Sequence, residues 1–420
     1  MQVVSVTDYS SSSLDLLKAQ MEDAGAGITA LSTALGGYGT MDGDVSKAYE
    51  KDEDTQSILD IILVLAQEFV HMIKYPLVSP SQVVFRWVDG GENQSGLLVT
   101  PDSSYNESYP MIVFMHPTQT LRKFSPSYND GSDDEMTAQY AHLLAMMGYI
   151  VVVPDYLGLG VNHEVHPYCL TTLAKSATGM IYAVKQLNTD WDGRIFIMGY
   201  SEGGYATLVT AKEIEQNNPD LDLVAAAALD GPHSLSEIMH GVMLDADENY
   251  KAPYFLPYVI AGYGAAYPDL PEVQFENAVI DDPAGFRDQL FTLMNGDYSA
   301  SQLNDLIRQV QPYEGPASIL TNDTIDALRD PDSLLNEKLL ENDSYYDWLP
   351  SIHVLLCHNV YDDLVPVENS TLAEISWKDI PNVQVDFFSD YMTGQGTIHA
   401  GAAPYAYIRG TNWLNDLAGK

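Results

Sequence analysis

One stretch of this sequence has the residue types and spacing of a nucleophilic site, Gly199-Tyr200-Ser201-Glu202-Gly203. Strand-forming residues precede it and a helix-forming run follows, which is the context of a nucleophile elbow. The serine must stand on a strained turn, and Gly199 and Gly203 lie where side chains would collide across it. The pattern predicts Ser201 as a nucleophile and the backbone N–H of Glu202 as an oxyanion donor. The alternative is an ordinary glycine-rich turn.

A serine nucleophile needs a base, and the base needs a carboxylate that orients it. On an elbow of this kind the chain order is serine, acid, histidine. His399 follows the last predicted strand and is the expected base, since a His399 that only caps a helix would leave Ser201 without a partner. Asp362 and Asp363 follow an earlier strand. We expect Asp362 to be the acid because it directly precedes the turn that ends in Pro366, whereas Asp363 could cap the next helix.

A second oxyanion donor is expected in the loop His116-Pro117-Thr118-Gln119, which follows a buried strand pattern. Proline has no N–H, so Thr118 is the best donor and Gln119 the second, with Gln119 also expected to contact substrate. His116 is expected to be a structural histidine. Tyr156 leaves the next strand near the site, where it either lines the acyl or alcohol pocket or is a purely structural aromatic.

Strand patterns that alternate with helical patterns must position these residues. From residue 109 the alternation predicts a mostly parallel sheet with helices on both faces, preceded by a hairpin that begins at residue 82. The alternation stops in a long helical segment, which is expected to form a cap over the site. The predicted parts are a helical N-terminal extension (1–80), two halves of an α/β core (81–232 and 348–420) and the cap insertion (233–347).

Composition limits the possible partners. The formal net charge of −40 argues against nucleic acid or anionic membranes as partners. Hydrophobic residues make up 46% of the chain, which is ample for a large core. The only two cysteines, Cys169 and Cys357, define no disulfide framework and are expected to be buried free thiols.

The beginning of the sequence has neither a basic region nor a long apolar stretch, so we expect a mature form that is secreted, extracellular or periplasmic. The most apolar helical pattern, residues 58–73, contains Asp60, Glu68 and His71. It is too short and too polar to span a bilayer, and no stable membrane insertion is expected.

The sequence resembles α/β-hydrolases of the serine esterase and lipase type, and is most similar to fungal secretory lipases and their bacterial esterase relatives. The segments with this resemblance are Pro154–Gly160, His166–Tyr168, Gly199–Gly204, Cys357–Ser370 and Ile398–Ala400. The resemblance implies an α/β-hydrolase fold with a mostly parallel eight-stranded sheet, an inserted helical cap, and Ser201, Asp362 and His399 as a catalytic triad. The family's usual His-Gly pairs are replaced by His116-Pro117 and His358-Asn359.

These features predict a serine carboxylester hydrolase that works through an acyl-enzyme on a small-molecule ester. The insertion is rich in tyrosine, phenylalanine and leucine and poor in basic residues, which favours short to medium acyl or aromatic esters. No metal or cofactor is required by this chemistry. Two alternatives stay open: a serine peptidase or amidase with the same triad, and a catalytically silent binding protein on a hydrolase scaffold.

Overall fold

A nine-stranded sheet forms the centre of the computed structural model, which describes residues 1–9, 64–65, 68–88, 90–128 and 136–420. The strands are β1 (Gln2–Asp8), β2 (Val78–Arg86), β3 (Gln94–Pro101), β4 (Tyr109–Met115), β5 (Ile150–Pro154), β6 (Trp191–Tyr200), β7 (Asp222–Leu229), β8 (His353–Asn359) and β9 (Val383–Phe388). Their order across the sheet is β1-β2-β3-β5-β4-β6-β7-β8-β9.

The sheet divides into an antiparallel edge and a parallel body. Strands β1, β2, β3 and β5 pair antiparallel, and the pairs from β5 through β4, β6, β7 and β8 to β9 are all parallel. Every residue of β4 and β5 is buried, as expected for parallel strands that are covered on both faces. This is the predicted α/β-hydrolase fold, with nine strands where eight were expected.

The additional strand is β1, which lies in the segment predicted as a helical extension. Its sequence QVVSVTD is rich in β-branched residues, and it pairs with β2 at the exposed edge of the sheet. That prediction rested on the serine-rich and glycine-rich segments further along, which lie outside the described residues. Most of the predicted helix over residues 58–73 also lies outside them, and its end forms a short 3₁₀ helix, Val70–Met72.

Helices cover both faces of the sheet. One face packs against α2 (Ala174–Val184) and α3 (Glu202–Asn217), and the other against α1 (Met136–Met146) and α12 (Ile398–Ala418). Because α3 and α12 begin directly at the carboxyl end of the sheet, their first residues meet above the same strand ends. In the described part of the chain, no helix is long and apolar enough to cross a membrane.

The segment between β7 and β8 is helical, as expected for the insertion. Its helices are α4 (His240–Asp245), α5 (Phe255–Ala266), α6 (Phe275–Ala278), α7 (Phe286–Leu293), α8 (Ala300–Ile307), α9 (Asn322–Arg329) and α10 (Leu334–Glu341), and α11 (Glu368–Ser376) follows β8. Near the end of the insertion, Asp343 accepts hydrogen bonds from the amides of Leu235 and Ser236 near its start. The two ends of the insertion are therefore held together.

Candidate active site

Ser201 stands at the sharp turn between β6 and α3. Its backbone has φ 60° and ψ −125°, a conformation that side-chain-bearing residues rarely adopt, and such strain is concentrated at functional sites. A Cβ atom on Gly203 would lie 2.0 Å from the carbonyl oxygen of Met115, and one on Gly199 would lie 2.4 Å from the carbonyl oxygen of Gly203. Both glycines are thus required by the close approach of the backbone.

A continuous chain of hydrogen bonds joins Ser201, His399 and Asp362. Ser201 Oγ lies 2.8 Å from Nε2 of His399, and Nδ1 of His399 lies 2.5 Å from Oδ2 of Asp362. All three side chains are nearly buried. Since Asp362 accepts from Nδ1–H, the Nε2 lone pair is directed at the serine hydroxyl, which is the arrangement that a general base requires.

The two neighbouring aspartates have different partners. Oδ1 of Asp362 accepts hydrogen bonds from the amides of Leu364 and Val365 at 2.9 and 2.8 Å, which leaves Oδ2 for the imidazole. Asp363 instead accepts the backbone N–H of His399 at 3.1 Å. Burial alone would raise the pKa of Asp362, but the charge and hydrogen bond of His399 outweigh burial and lower it. Of the two carboxylates, that of Asp362 is therefore the one that contacts the imidazole of His399.

The predicted oxyanion donors belong to two segments that meet at the elbow, where Gly203 packs against the backbone of Met115 and His116. Glu202 is the first residue of α3, so its N–H belongs to the helix-end amides that have no partner within the helix. The loop of Thr118 follows β4 and runs against the elbow, where Thr118 Oγ1 hydrogen bonds with the Tyr168 hydroxyl at 3.0 Å. His116 contacts the Pro117 and Asp155 carbonyl oxygens and is buried, which lowers its pKa.

Tyr156 lies beneath this loop. Its ring stacks on His116 with centroids 3.9 Å apart, and its hydroxyl donates to the carbonyl oxygen of His116 at 3.1 Å. The side chain is 1% exposed, and its backbone has a positive φ of 68°. Of the two interpretations of Tyr156, these contacts match the structural one.

Sequence reasoning missed a buried pair beside the elbow, His166 and Glu202. Nδ1 of His166 donates to the Leu157 carbonyl, and its Nε2 lies 2.7 Å from Oε1 of Glu202. Burial alone would lower the pKa of His166, but the Glu202 carboxylate outweighs it and the pKa is raised. The pair ties the first turn of α3 to the loop after β5. The segment His166–Tyr168 within the family resemblance was the available signal.

One group of side chains among the described residues has the spacing of a metal site, Asp230, His358 and Asp362. His358 Nε2 lies 2.8 Å from the carbonyl oxygen of Val365. A carbonyl only accepts, so this nitrogen has a proton and no free lone pair. Nδ1 in turn accepts from the Ser370 hydroxyl at 2.7 Å. His358 therefore has no nitrogen available to bind a metal ion.

A cavity of about 270 Å³ lies between the core and the insertion, and one of its lining residues, His166, contacts Glu202 of the elbow. On the core side it is lined by residues that include Gln119, Leu159 and His166, and on the insertion side by Tyr258, Ala261, Phe291 and Met294. Two larger hollows, of about 740 and 510 Å³, are lined by none of the predicted site residues. Gln119, which is predicted to contact substrate, is the one predicted site residue among the described residues that line the smaller cavity.

Comparison with known proteins places this geometry in a family. The secretory lipase family profile matches residues 133–419. Lipase 4 of Candida albicans is 24% identical over 350 residues, which span 77% of this chain and 70% of that protein.

Solved structures show the same fold. The rice cell wall degrading esterase LipA from Xanthomonas oryzae is 21% identical, with a TM-score of 0.64 over 99% of this chain and 97% of that one. A putative hydrolase from Legionella pneumophila is 22% identical, with a TM-score of 0.69 over 86% and 95%. The chain therefore belongs to the secretory lipase family and is a carboxylic ester hydrolase.

Proposed function

We propose that Ser201, His399 and Asp362 form the catalytic triad of this ester hydrolase. The unbroken hydrogen-bond chain from Ser201 Oγ through the imidazole to Asp362 carries the proposal. His399 Nε2 takes the Ser201 proton while Oγ attacks the ester carbonyl carbon. The amides of Thr118 and Glu202 stabilise the oxyanion. His399 then protonates the leaving alcohol, and water attacks the acyl-enzyme by the same sequence to release the acid and free Ser201.

Replacement of the nucleophile tests the mechanism. Ser201→Ala is expected to lower ester turnover by about 10⁴-fold or more, because the triad members act as a unit. The substitution removes only one oxygen atom, so the melting temperature is expected to stay close to that of the wild type. An organophosphate is expected to add mass at Ser201 in the wild type only. Near-normal turnover by Ser201→Ala would refute the proposal.

We propose that the 270 Å³ cavity receives the acyl or aromatic part of the ester, and that the insertion acts as its cap. Small-molecule pockets commonly measure about 300–1,000 Å³, so this volume favours short to medium acyl chains over triglycerides. Its insertion side, with Tyr258, Phe291 and Met294, supports apolar groups, and its core side adds polar groups such as Gln119 and Arg122. Activity on nitrophenyl esters but not on aminoacyl-nitroanilides would separate ester hydrolysis from the peptidase or amidase alternative.

A substitution in the cavity tests the chain-length preference. Ala261→Leu fills part of the cavity. Turnover of an octanoate ester is expected to fall about tenfold relative to that of an acetate ester, since a gain or loss of room for one methylene group in an apolar pocket changes binding by roughly 1–3 kcal/mol. Ala265→Leu, on the exposed side of the same helix α5, is the control. An unchanged acyl profile in Ala261→Leu would place chain-length selection elsewhere.

We also propose that the protein acts outside the cytoplasm, on the basis of the family's secretory character and the strongly acidic composition. Two buried free thiols, Cys169 and Cys357, are compatible with such a location because neither is accessible to oxidants. Detection of the enzyme in the medium of the producing cells, with an intracellular marker absent, tests this proposal.

A further inference from the structure

The carboxyl group of Asp230 is fully buried next to the triad, and the proposed mechanism does not use it. Asp230 follows the last residue of β7 directly, and β7 lies between the strand of Ser201 and the strand that leads to Asp362. Its Oδ1 accepts the amide N–H of Asn359 at 2.8 Å. Within the described part of the chain, its Oδ2 has no hydrogen-bond partner. A buried oxygen of this kind needs an explanation.

The backbone at this position is strained and fixed between the two functional strands. Asp230 has a φ of 44°, in the left-handed region that few residues with a side chain adopt. Its N–H donates to the carbonyl oxygen of Cys357 at 2.8 Å, and the preceding carbonyl, of Leu229, accepts the N–H of Ser201 at 2.9 Å. Movement of Asp230 would therefore disturb the nucleophile and the acid together.

A carboxyl oxygen of Asp230 lies within 4.8 Å of a carboxyl oxygen of Asp362. Two buried carboxylates this close do not both ionise readily, so one of them holds a proton. Asp362 is stabilised as the anion by two backbone amides and by His399, whereas Asp230 has only one amide. Burial, followed by the charge of Asp362, raises the pKa of Asp230 well above its ordinary value.

The other buried titratable groups around this pair leave it without a competing charge. They are Tyr200 of β6, Cys357 and His358 of β8, His399 of α12, and His233 and Tyr250 of the insertion, while the exposed Asp363 accepts the backbone N–H of His399. Burial raises the pKa of Tyr200 and Cys357 and lowers the pKa of the two histidines His233 and His358, so these four are uncharged. Asp362 is the anion of the cluster, and His399 becomes its cation during the reaction.

We propose that Asp230 is a neutral carboxylic acid that donates a hydrogen bond from Oδ2 to the Asp362 carboxylate. This inference rests on the proposed triad and assigns Asp230 as a positioning residue. The donated hydrogen bond orients Asp362 toward His399 without placing a second negative charge beside it. It also provides a partner for the Oδ2 atom of Asp230.

Three variants test the assignment. Asp230→Asn has a neutral donor of the same shape, so kcat/KM is expected to stay within about threefold of wild type and the acid limb of its pH profile not to move. Asp230→Ala removes the donor, and kcat is expected to fall about tenfold or more with little change in KM. Asp222 is exposed at the other end of β7, so Asp222→Asn is the control for the effect of replacing an aspartate by asparagine on this strand.

An ionised Asp230 would give the opposite result. Asp230→Asn would then remove a negative charge near His399, and the acid limb would move to lower pH by about one unit. That shift, or an Asp230→Asn variant as slow as Asp230→Ala, overturns the proposal. A merely structural role would lower stability in both variants without distinguishing their pH profiles or kcat values.

Infrared spectroscopy observes the proton directly. The difference spectrum of wild type minus Asp230→Asn at pH 8 is expected to contain the carbonyl band of a protonated carboxylic acid, and its absence overturns the proposal. If Asp230→Asn does not fold, Asp230→Ser provides a shorter neutral donor for the pH profile and the infrared difference spectrum. Failure of the triad itself is separately visible, because Ser201→Ala would then retain turnover whatever the state of Asp230.

Discussion

At the scale of single residues, the site depends on which atoms of Asp362 and Asp363 are already engaged. The amides of Leu364 and Val365 occupy one oxygen of Asp362 and direct the other at the imidazole of His399. Asp363 instead accepts the backbone N–H of His399. Two adjacent and chemically identical side chains therefore have different roles because their backbone surroundings differ.

Exchange of each aspartate for asparagine is expected to separate these roles. Asp362→Asn offers the imidazole an uncharged amide and disfavours the required tautomer, so kcat is expected to fall by about 10⁴-fold. In Asp363→Asn the amide oxygen still accepts the His399 N–H, and a loss of less than about tenfold is expected. Steady-state kinetics on a nitrophenyl ester measures both. A larger loss in Asp363→Asn would reverse the assignment of the acid.

At the scale of elements, Asp343 holds the two ends of the insertion together. Besides the amides of Leu235 and Ser236, it accepts the Ser236 hydroxyl at 2.6 Å, and Ser344 donates its N–H to the His233 carbonyl. Burial raises the pKa of Asp343 to about 6, because its hydrogen bonds only partly offset the loss of water. The two ends of the insertion are thus joined through a carboxyl group whose pKa is about 6.

The raised pKa of Asp343 predicts a pH-dependent stability. A carboxyl whose pKa is about 6 when folded and 3.8 when unfolded stabilises the protein below pH 3.8, and this contribution is lost as pH rises to about 6. Asp343→Asn cannot ionise at this position. Between pH 4 and pH 7, its unfolding free energy is therefore expected to rise relative to that of the wild type by up to about 3 kcal/mol. Denaturant unfolding at both pH values measures the gain. A constant difference between the two proteins would contradict this prediction.

At the scale of the whole molecule, the dominant property is a formal net charge of −40, from 59 acidic and 19 basic residues. Repulsion among so many like charges opposes the compact state. Ions screen this repulsion, since the Debye length falls from about 30 Å at 0.01 M salt to about 3 Å at 1 M.

The melting temperature is therefore expected to rise between low salt and about 1 M NaCl, with the steepest part below about 0.15 M, where screening changes most. Calorimetry over a salt series measures it. A rise that is linear up to 1 M would indicate preferential exclusion of salt rather than screening. A flat or falling response would show that the acidity serves solubility alone.

The pattern of the sequence was sufficient for the α/β-hydrolase fold and for the sharp turn on which Ser201 stands. Continuous apolar runs predicted β4 and β5, because strands covered on both faces contain no polar alternation. The glycines around Ser201 predicted the tight turn, since no other residue fits the backbone contacts found there. Both predictions could be made from short runs of neighbouring residues.

Only the tertiary structure decided what depends on residues distant in sequence. The edge strand β1 is completed by β2, about 70 positions later, and no local pattern predicted that pairing. The His166–Glu202 pair and the carboxyl cluster of Asp230 and Asp362 exist because separate strands end at the same edge of the sheet. Burial of polar groups and the distances between them arise when the chain packs, so spacing along the sequence determines neither.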